Sequence, residues 1–465
     1  MAYTTINNGK LYFEPITFTA SNNSSNTVSG MGFQPDLIWW KNREQTYPHF
    51  LYDVIRGNTK QLASNTTGAG ETRNSTYLTS FNSDGFTTGT ALAGDTSDGI
   101  ASWNWLAAGT APSNTYVVKV VSDSGNKYRF DNFGTSAVTL EISEGGTFTF
   151  DQSDSSNSNH PLRFSTTSNG THGGGSEYTT GVTTNGTPGQ AGSYTRITVA
   201  ASAPTLYYYC TQHSGMGGQA NTPVTNSFSN FAGTIQSNIS PNTTSGFSIV
   251  SYTGNGGSTP KTVGHGLGVA PKMIIIKPRN LAYDWMIYNE NVGATKGMCL
   301  NTTQAPFTSS NFNDTAPTTS VFSVKNNATN ETNGTYIAYC FNDVQGYSKF
   351  GIYEGNNNVN GTFIYLGFKP AFLIIKAIDN ARNWMMYDNK RGPINVNDET
   401  LYPNSNSAEV SPDNYNGIDF LSNGFKLRGG SSGVGNDTNG AETYIYMAFA
   451  ENPFTSSAGT PVTAR

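Results

Sequence analysis

A chain of 465 residues is longer than one hydrophobic core serves, so several modules are expected. Its 51 glycines and 12% aromatic content belong to short strands joined by polar turns, and no helical apolar period or heptad seam appears, which excludes a helical bundle or coiled coil. With 26 Lys plus Arg against 31 Asp plus Glu the net charge is −5, and the absence of a basic stripe argues against a nucleic-acid partner.

The opening, MAYTTINNGKLYFEP, has no basic segment followed by an apolar core, and no apolar run approaches the roughly 20 residues of a bilayer span. Neither Sec-type export nor membrane insertion is expected. Cys210, Cys299 and Cys340 are an odd, scattered set, which argues against a disulfide framework and for folding in a reducing cytoplasm.

The first recognisable element is GFQPDLIWWK at 32–41, and its frame returns as GVAPKMIIIK at 268–277 and GFKPAFLIIK at 367–376. Gly-x-x-Pro makes a turn, and the apolar run after it has the length and β-branching of a strand buried on both faces. The frame ends at Lys41, Lys277 and Lys376, each expected to mark where the strand meets water. Each is followed eleven positions later by a tyrosine, Tyr52, Tyr288 or Tyr387. Three copies without slippage predict an internal repeat with Ile38, Ile274 and Leu373 at equivalent buried positions. GIASWNWLA, TYIAYCFND and TYIYMAFAENP recur more loosely as a later strand. Trp39, Trp40, Trp285 and Trp384 lie in or near the frame and are expected in the core.

The spacing between the first and second copies leaves room for an insert, placed at 114–220 between AAGTAPSN and GMGGQANTP, both read as linkers. The fold class is all-β: three antiparallel β-sandwich repeats at 1–110, 225–350 and 351–465, plus a small β-sandwich in the insert. Alternating runs such as TYVVKVVS and TLYYYC supply its strands.

Within the insert, NHPLRF offers His160, and TLYYYCTQHSGMGG offers Cys210, His213 and Met216. Two imidazoles, a thiolate and a distant thioether are the donors copper prefers, a trigonal plane with a long axial Met. The C-x2-H-x2-M spacing lets one loop present three of them. The ordinary alternative is a buried strand-end cysteine with an incidental histidine and methionine. This arrangement resembles the cupredoxin family, and the resemblance assigns His160, Cys210, His213 and Met216 to copper. His172 reads as a loop residue.

No G-x-S-x-G, H-E-x-x-H, P-loop or dinucleotide fingerprint occurs, and no catalytic residue is assigned. GFKPAFLIIK, NWMMYDNKRGP, IDFLSNGFKLRG and TYIYMAFAENPF, with HPLRFS and the YYYC motif, resemble structural proteins of marine tailed bacteriophages, notably those of cyanobacteria. That resemblance implies a virion protein, a tail fibre, appendage or capsid decoration, assembled in the host cytoplasm and acting by adhesion or particle stabilisation. Other virion proteins and a host cell-surface glycan or protein are its implied partners, and a homo-oligomer, trimeric in a fibre, its assembly. The alternatives are a copper electron-transfer or storage protein and, with less support, a carbohydrate-processing enzyme.

Overall fold

In the repeat, the frame glycine sets up everything downstream. Gly32, Gly268 and Gly367 all have left-handed backbones, φ +75°, +72° and +82°, a conformation that favours glycine and turns the chain into the apolar strand. The computed structural model describes the chain except residues 1–3, 21–24, 74–76, 91–96, 109–110, 257–258, 414–415, 430–437 and 462–465.

Each copy then builds the same four-stranded order. In the first it is Phe13–Thr19, Gly99–Trp105, Leu37–Asn42, Phe50–Asp53. In the second it is Phe247–Thr253, Thr335–Phe341, Met273–Pro278, Met286–Asn289, and in the third Ser348–Glu354, Thr443–Pro453, Phe368–Ala377, Met385–Asp388. The registers coincide residue for residue: Ile38 pairs with Tyr52, Ile274 with Tyr288 and Leu373 with Tyr387. Ile38, Ile274 and Leu373 are fully buried. A smaller sheet covers one face of each: Asn26–Ser29 with Gly85–Thr88 and Leu78–Asn82, Lys261–Gly264 with Val321–Val324, and Phe363–Tyr365 with Gly424–Leu427 and Ile418–Leu421. The protein is all-β, and the repeat copies are antiparallel sandwiches.

The other face of each main sheet is shared. Leu37 and Trp39, Met273 and Ile275, and Phe372 and Ile374 all enter one core, whereas Ile38 and Trp40 face the first copy's own small sheet. Trp105, Phe341 and Phe449 pair with Leu37, Met273 and Phe372, which makes them equivalent positions. Their rings meet in a triangle with centroids 5.8, 6.0 and 6.5 Å apart. Three faces thus close on a pseudo-threefold axis marked by aromatic rings, which prefer such tilted contacts.

The closure corrects one expectation. Lys41, Lys277 and Lys376 do not meet water; all three are fully buried. Lys277 donates to the Tyr283 carbonyl at 2.6 Å and to Thr67 of the first copy at 2.8 Å. Lys376 donates to Ala377 at 3.0 Å and to Thr303 of the second copy at 3.1 Å. Lys41 donates to Asn42 and Gln45 at 2.5 and 2.8 Å. Burial pulls each ammonium down to about 8. The frame tryptophans run around the same ring: Trp285 Nε1 donates to Ala63 of the first copy and Trp384 Nε1 to Cys299 of the second, both at 2.9 Å. Their first-copy equivalent is His49, whose ring faces the Tyr402 carbonyl of the third copy.

The insert forms two five-stranded sheets. One is ordered Asn126–Phe130, Ser113–Ser122, Thr147–Asp151, Tyr194–Thr198, Val182–Asn185; the other Leu140–Glu141, Gly218–Asn221, Leu206–Cys210, Leu162–Ser165, Glu177–Tyr178. Both contain one parallel pair, Ser113–Ser122 with Thr147–Asp151 and Leu140–Glu141 with Gly218–Asn221, so the sandwich is mixed rather than wholly antiparallel. The GMGGQANTP segment is not a linker: it contributes the strand Gly218–Asn221, and the Glu144 N–H reaches Pro223 O at 2.9 Å, which extends the unit past residue 220. In AAGTAPSN, Gly109 and Thr110 lie outside the described residues.

Candidate metal centre

Strand pairing brings the two sequence-distant ligand segments together. Leu162 is the register partner of Cys210, so His160, two residues before Leu162, is carried to the loop that follows Cys210. Pro161 lies between them, and its carbonyl accepts the Thr211 N–H at 3.2 Å. The His160 carbonyl is held by the Tyr128 hydroxyl at 2.9 Å and by Gln152 Nε2 at 2.8 Å, while Gln152 Oε1 accepts the Leu162 N–H at 3.1 Å. The backbone around His160 is therefore fixed from three sides.

The loop after Cys210 folds back because two glycines let it. Gly215 has φ +72°, and a Cβ on Gly217 would stand 1.7 Å from the Tyr208 carbonyl oxygen. Asn169 pins the loop from outside, accepting the Gly215 N–H and donating to Ser214 Oγ, both at 2.8 Å.

Cys210 Sγ lies 3.8 Å from His160 Nδ1 and 3.8 Å from His213 Nδ1, and the ligand atoms of these three residues fall within 4.8 Å of one another. The imidazole centroids are 4.5 Å apart with a 47° tilt. A metal ion held at about 2.0 Å by nitrogen and about 2.3 Å by sulfur with roughly trigonal angles sets N···S at about 3.7 Å, so the cluster fits a single ion. Both rings turn Nδ1 toward the thiol. Cys210 is fully buried, His160 is 9% exposed, and His213 is exposed at the surface. Burial first, and then the charge of His213, hold His160 below the usual histidine range, favouring the neutral imidazole that coordinates metals. Soft sulfur with two imidazoles is a donor set copper accepts.

Met216 is buried at 1% exposure in the same core cluster as Cys210, and its carbonyl accepts the Tyr128 N–H at 3.0 Å. His172 presents Nε2 to the Cys210 carbonyl oxygen at 3.1 Å and so braces the strand end. Tyr128, Gln152 and Asn169 support the site without any signal in their spacing: Asn169 acts across 45 and 46 residues.

The chain belongs to the family described as a domain of unknown function, DUF7483, which matches residues 8–132 and 155–453. The match takes in all three repeat copies and the His160, Cys210 and His213 cluster. Neither the curated proteins nor the solved structures give a match to this chain.

Proposed function

We propose that this protein is a structural, host-facing component of a tailed-bacteriophage particle, a fibre, appendage or capsid decoration, acting by adhesion or by stabilising the particle. The observation that supports this reading is the closed ring: Lys277 and Trp285 of the second copy bond the first, and Lys376 and Trp384 of the third copy bond the second. Such an arrangement suits a rigid building block. Its partners are other virion proteins and a host cell-surface glycan or protein. Mass spectrometry of purified particles tests the proposal; finding the chain only in the soluble lysate fraction rejects it.

A second reading is favoured by the His160, Cys210 and His213 cluster: the cupredoxin-like insert binds copper, with Met216 as the fourth ligand. A bound copper ion would supply one-electron redox chemistry or a structural clamp at the sandwich end. The chain's own residues contribute a preset donor set, a fixed His160 backbone and an exposed His213 edge. Titration of the purified chain with Cu(II) is expected to give an intense visible charge-transfer band that Cys210→Ser abolishes. A weak band that survives in the serine variant removes the reading.

A further inference from the structure

The three junctions of the ring can be compared position by position. Arg43, Arg279 and Ile378 each follow a frame lysine by two residues, and their N–H groups donate to Gly99, Thr335 and Thr443, equivalent residues of the adjoining strand. Arg56 and Arg391 are equivalent too: each ion-pairs with the aspartate three residues earlier, and each donates Nη1 to a backbone carbonyl, Lys60 O at 2.7 Å and Glu399 O at 3.0 Å. Gly70 and Glu409 are the next matched pair: the Gly70 N–H donates to Arg279 O and the Glu409 N–H to Arg43 O, both at 2.7 Å.

Where the first copy meets the third, the junction is closed by acids. Glu409 takes Arg43 on one oxygen at 2.6 Å and Arg391 on the other at 2.7 Å, with Glu399 3.3 Å from Arg43. Where the third meets the second, Ile378 and Val292 take the places of the two arginines, and the position shared by Lys60 and Glu399 is held by Lys296, whose Nζ donates to Thr308 Oγ1 at 3.2 Å. Where the second meets the first, both arginines are present, Arg279 and Arg56, but Lys60 replaces Glu399 and Gly70 replaces Glu409. The result is a cleft of about 180 Å³ lined by Arg56, Lys60, Thr72, Arg279 and Asn280, with Gly70 at its wall. Three cations face it against the single carboxylate of Asp53, where the sister junction sets two cations against three carboxylates. Neighbouring Glu71 is taken by Arg73.

Arg279 is only partly exposed and, among the described residues, its guanidinium has no carboxylate partner. Burial first, then the Arg56 charge, hold it below the usual arginine range; Arg43, also opposed by burial but less deeply buried, is raised because Glu409 and Glu399 stand beside it. Lys60 Nζ donates to Thr72 Oγ1 at 2.7 Å and, among the described residues, makes no ion pair.

We propose that this cleft binds an oxyanion, a carboxylate, sulfate or phosphate group borne by an acidic ligand, seated where the Glu409 carboxylate sits in the sister junction. Arg279 and Arg56 hold it as Arg43 and Arg391 hold the glutamate, where Arg43 reaches one oxygen through Nε and Nη2 and Arg391 the other through Nη1, and Lys60 adds a third charge. The site is independent of the metal cluster and of the particle assignment.

Thermal unfolding of the full chain is the test, run in sodium sulfate, phosphate or acetate against chloride at matched ionic strength. A saturable rise in Tm is expected with at least one anion; sulfate and phosphate report a tetrahedral ligand, acetate a carboxylate. Arg279→Gln should weaken that anion at least tenfold. Gly70→Glu should raise Tm without added anion and remove the further rise, because it restores the sister junction's carboxylate; a Cβ on Gly70 meets Arg279 O at 3.2 Å, Leu62 Cδ2 at 3.4 Å and Gln61 O at 3.6 Å, with nothing closer. A rise that never saturates, or that persists undiminished in Arg279→Gln, is general salt exclusion and overturns the proposal.

Discussion

His265 shows how a single buried side chain sets a pH limit. It is fully buried, its Nε2 donates to Thr318 O at 3.2 Å, and its Nδ1 accepts the Leu267 N–H at 3.2 Å. A second proton would have to displace that N–H, and burial, outweighing the upward pull of the Thr318 carbonyl, brings the pKa down to about 4. An unfolded histidine titrates near 6.5, so below that pH the unfolded chain takes up a proton that the folded chain refuses. Stability is therefore lost as pH falls from about 6.5 toward 4, by at most about 3 kcal/mol at roughly 1.4 kcal/mol per unit. His49, fully buried and lowered further by burial and then by Lys41 and Arg391, adds to the same slope. Urea midpoints at pH 7, 5.5 and 4.5 measure it, and His265→Gln should flatten it; an equally steep variant would assign the loss elsewhere.

At the scale of the strand, the frame was legible because its determinants are local. A left-handed glycine, a proline three residues on, and an apolar run specify a strand and its register without reference to distant sequence. The nearness of Cys210 and His213 was legible for the same reason, since they lie three residues apart in one loop. The burial of Lys277 was not, because its cover is the Thr67 carbonyl, 210 residues away. Nor does a strand apolar on both faces say what lies over each face; the composition of Met273–Pro278 is the same whether a small sheet or another copy covers it. The junction tryptophans make this dependence measurable. Trp285→Phe keeps most of the buried ring and removes only the Nε1 donation to Ala63 O, so a loss of about 1–2 kcal/mol is expected, read as a lower urea midpoint at unchanged m-value. A cost below a few tenths would mean that water or another donor replaces the tryptophan.

For the whole molecule, the central question is whether the copies stand alone. Sandwiches strung on linkers would each close their own core and tolerate removal of a neighbour. Here Trp103 contacts Phe372 at 6.0 Å and donates to Asp388 Oδ2 at 2.9 Å, both in the third copy, and Phe341 of the second copy meets Phe449 at 6.0 Å. A chain ending at Asp343 would turn Trp103, Trp105 and Phe341 to water together, a contiguous apolar face of the kind that drives aggregation or self-association. It would also leave Arg43 without Glu399 and Glu409. Burying three aromatics contributes several kcal/mol, comparable with the whole stability of a typical domain. The truncated chain is therefore expected to lose the near-ultraviolet dichroism of the first and second copies and to yield to protease throughout them, while the intact chain unfolds its three copies in one calorimetric transition. Two folded, protease-resistant copies surviving the truncation would show that the shared core is a contact between independent units rather than the interior of one.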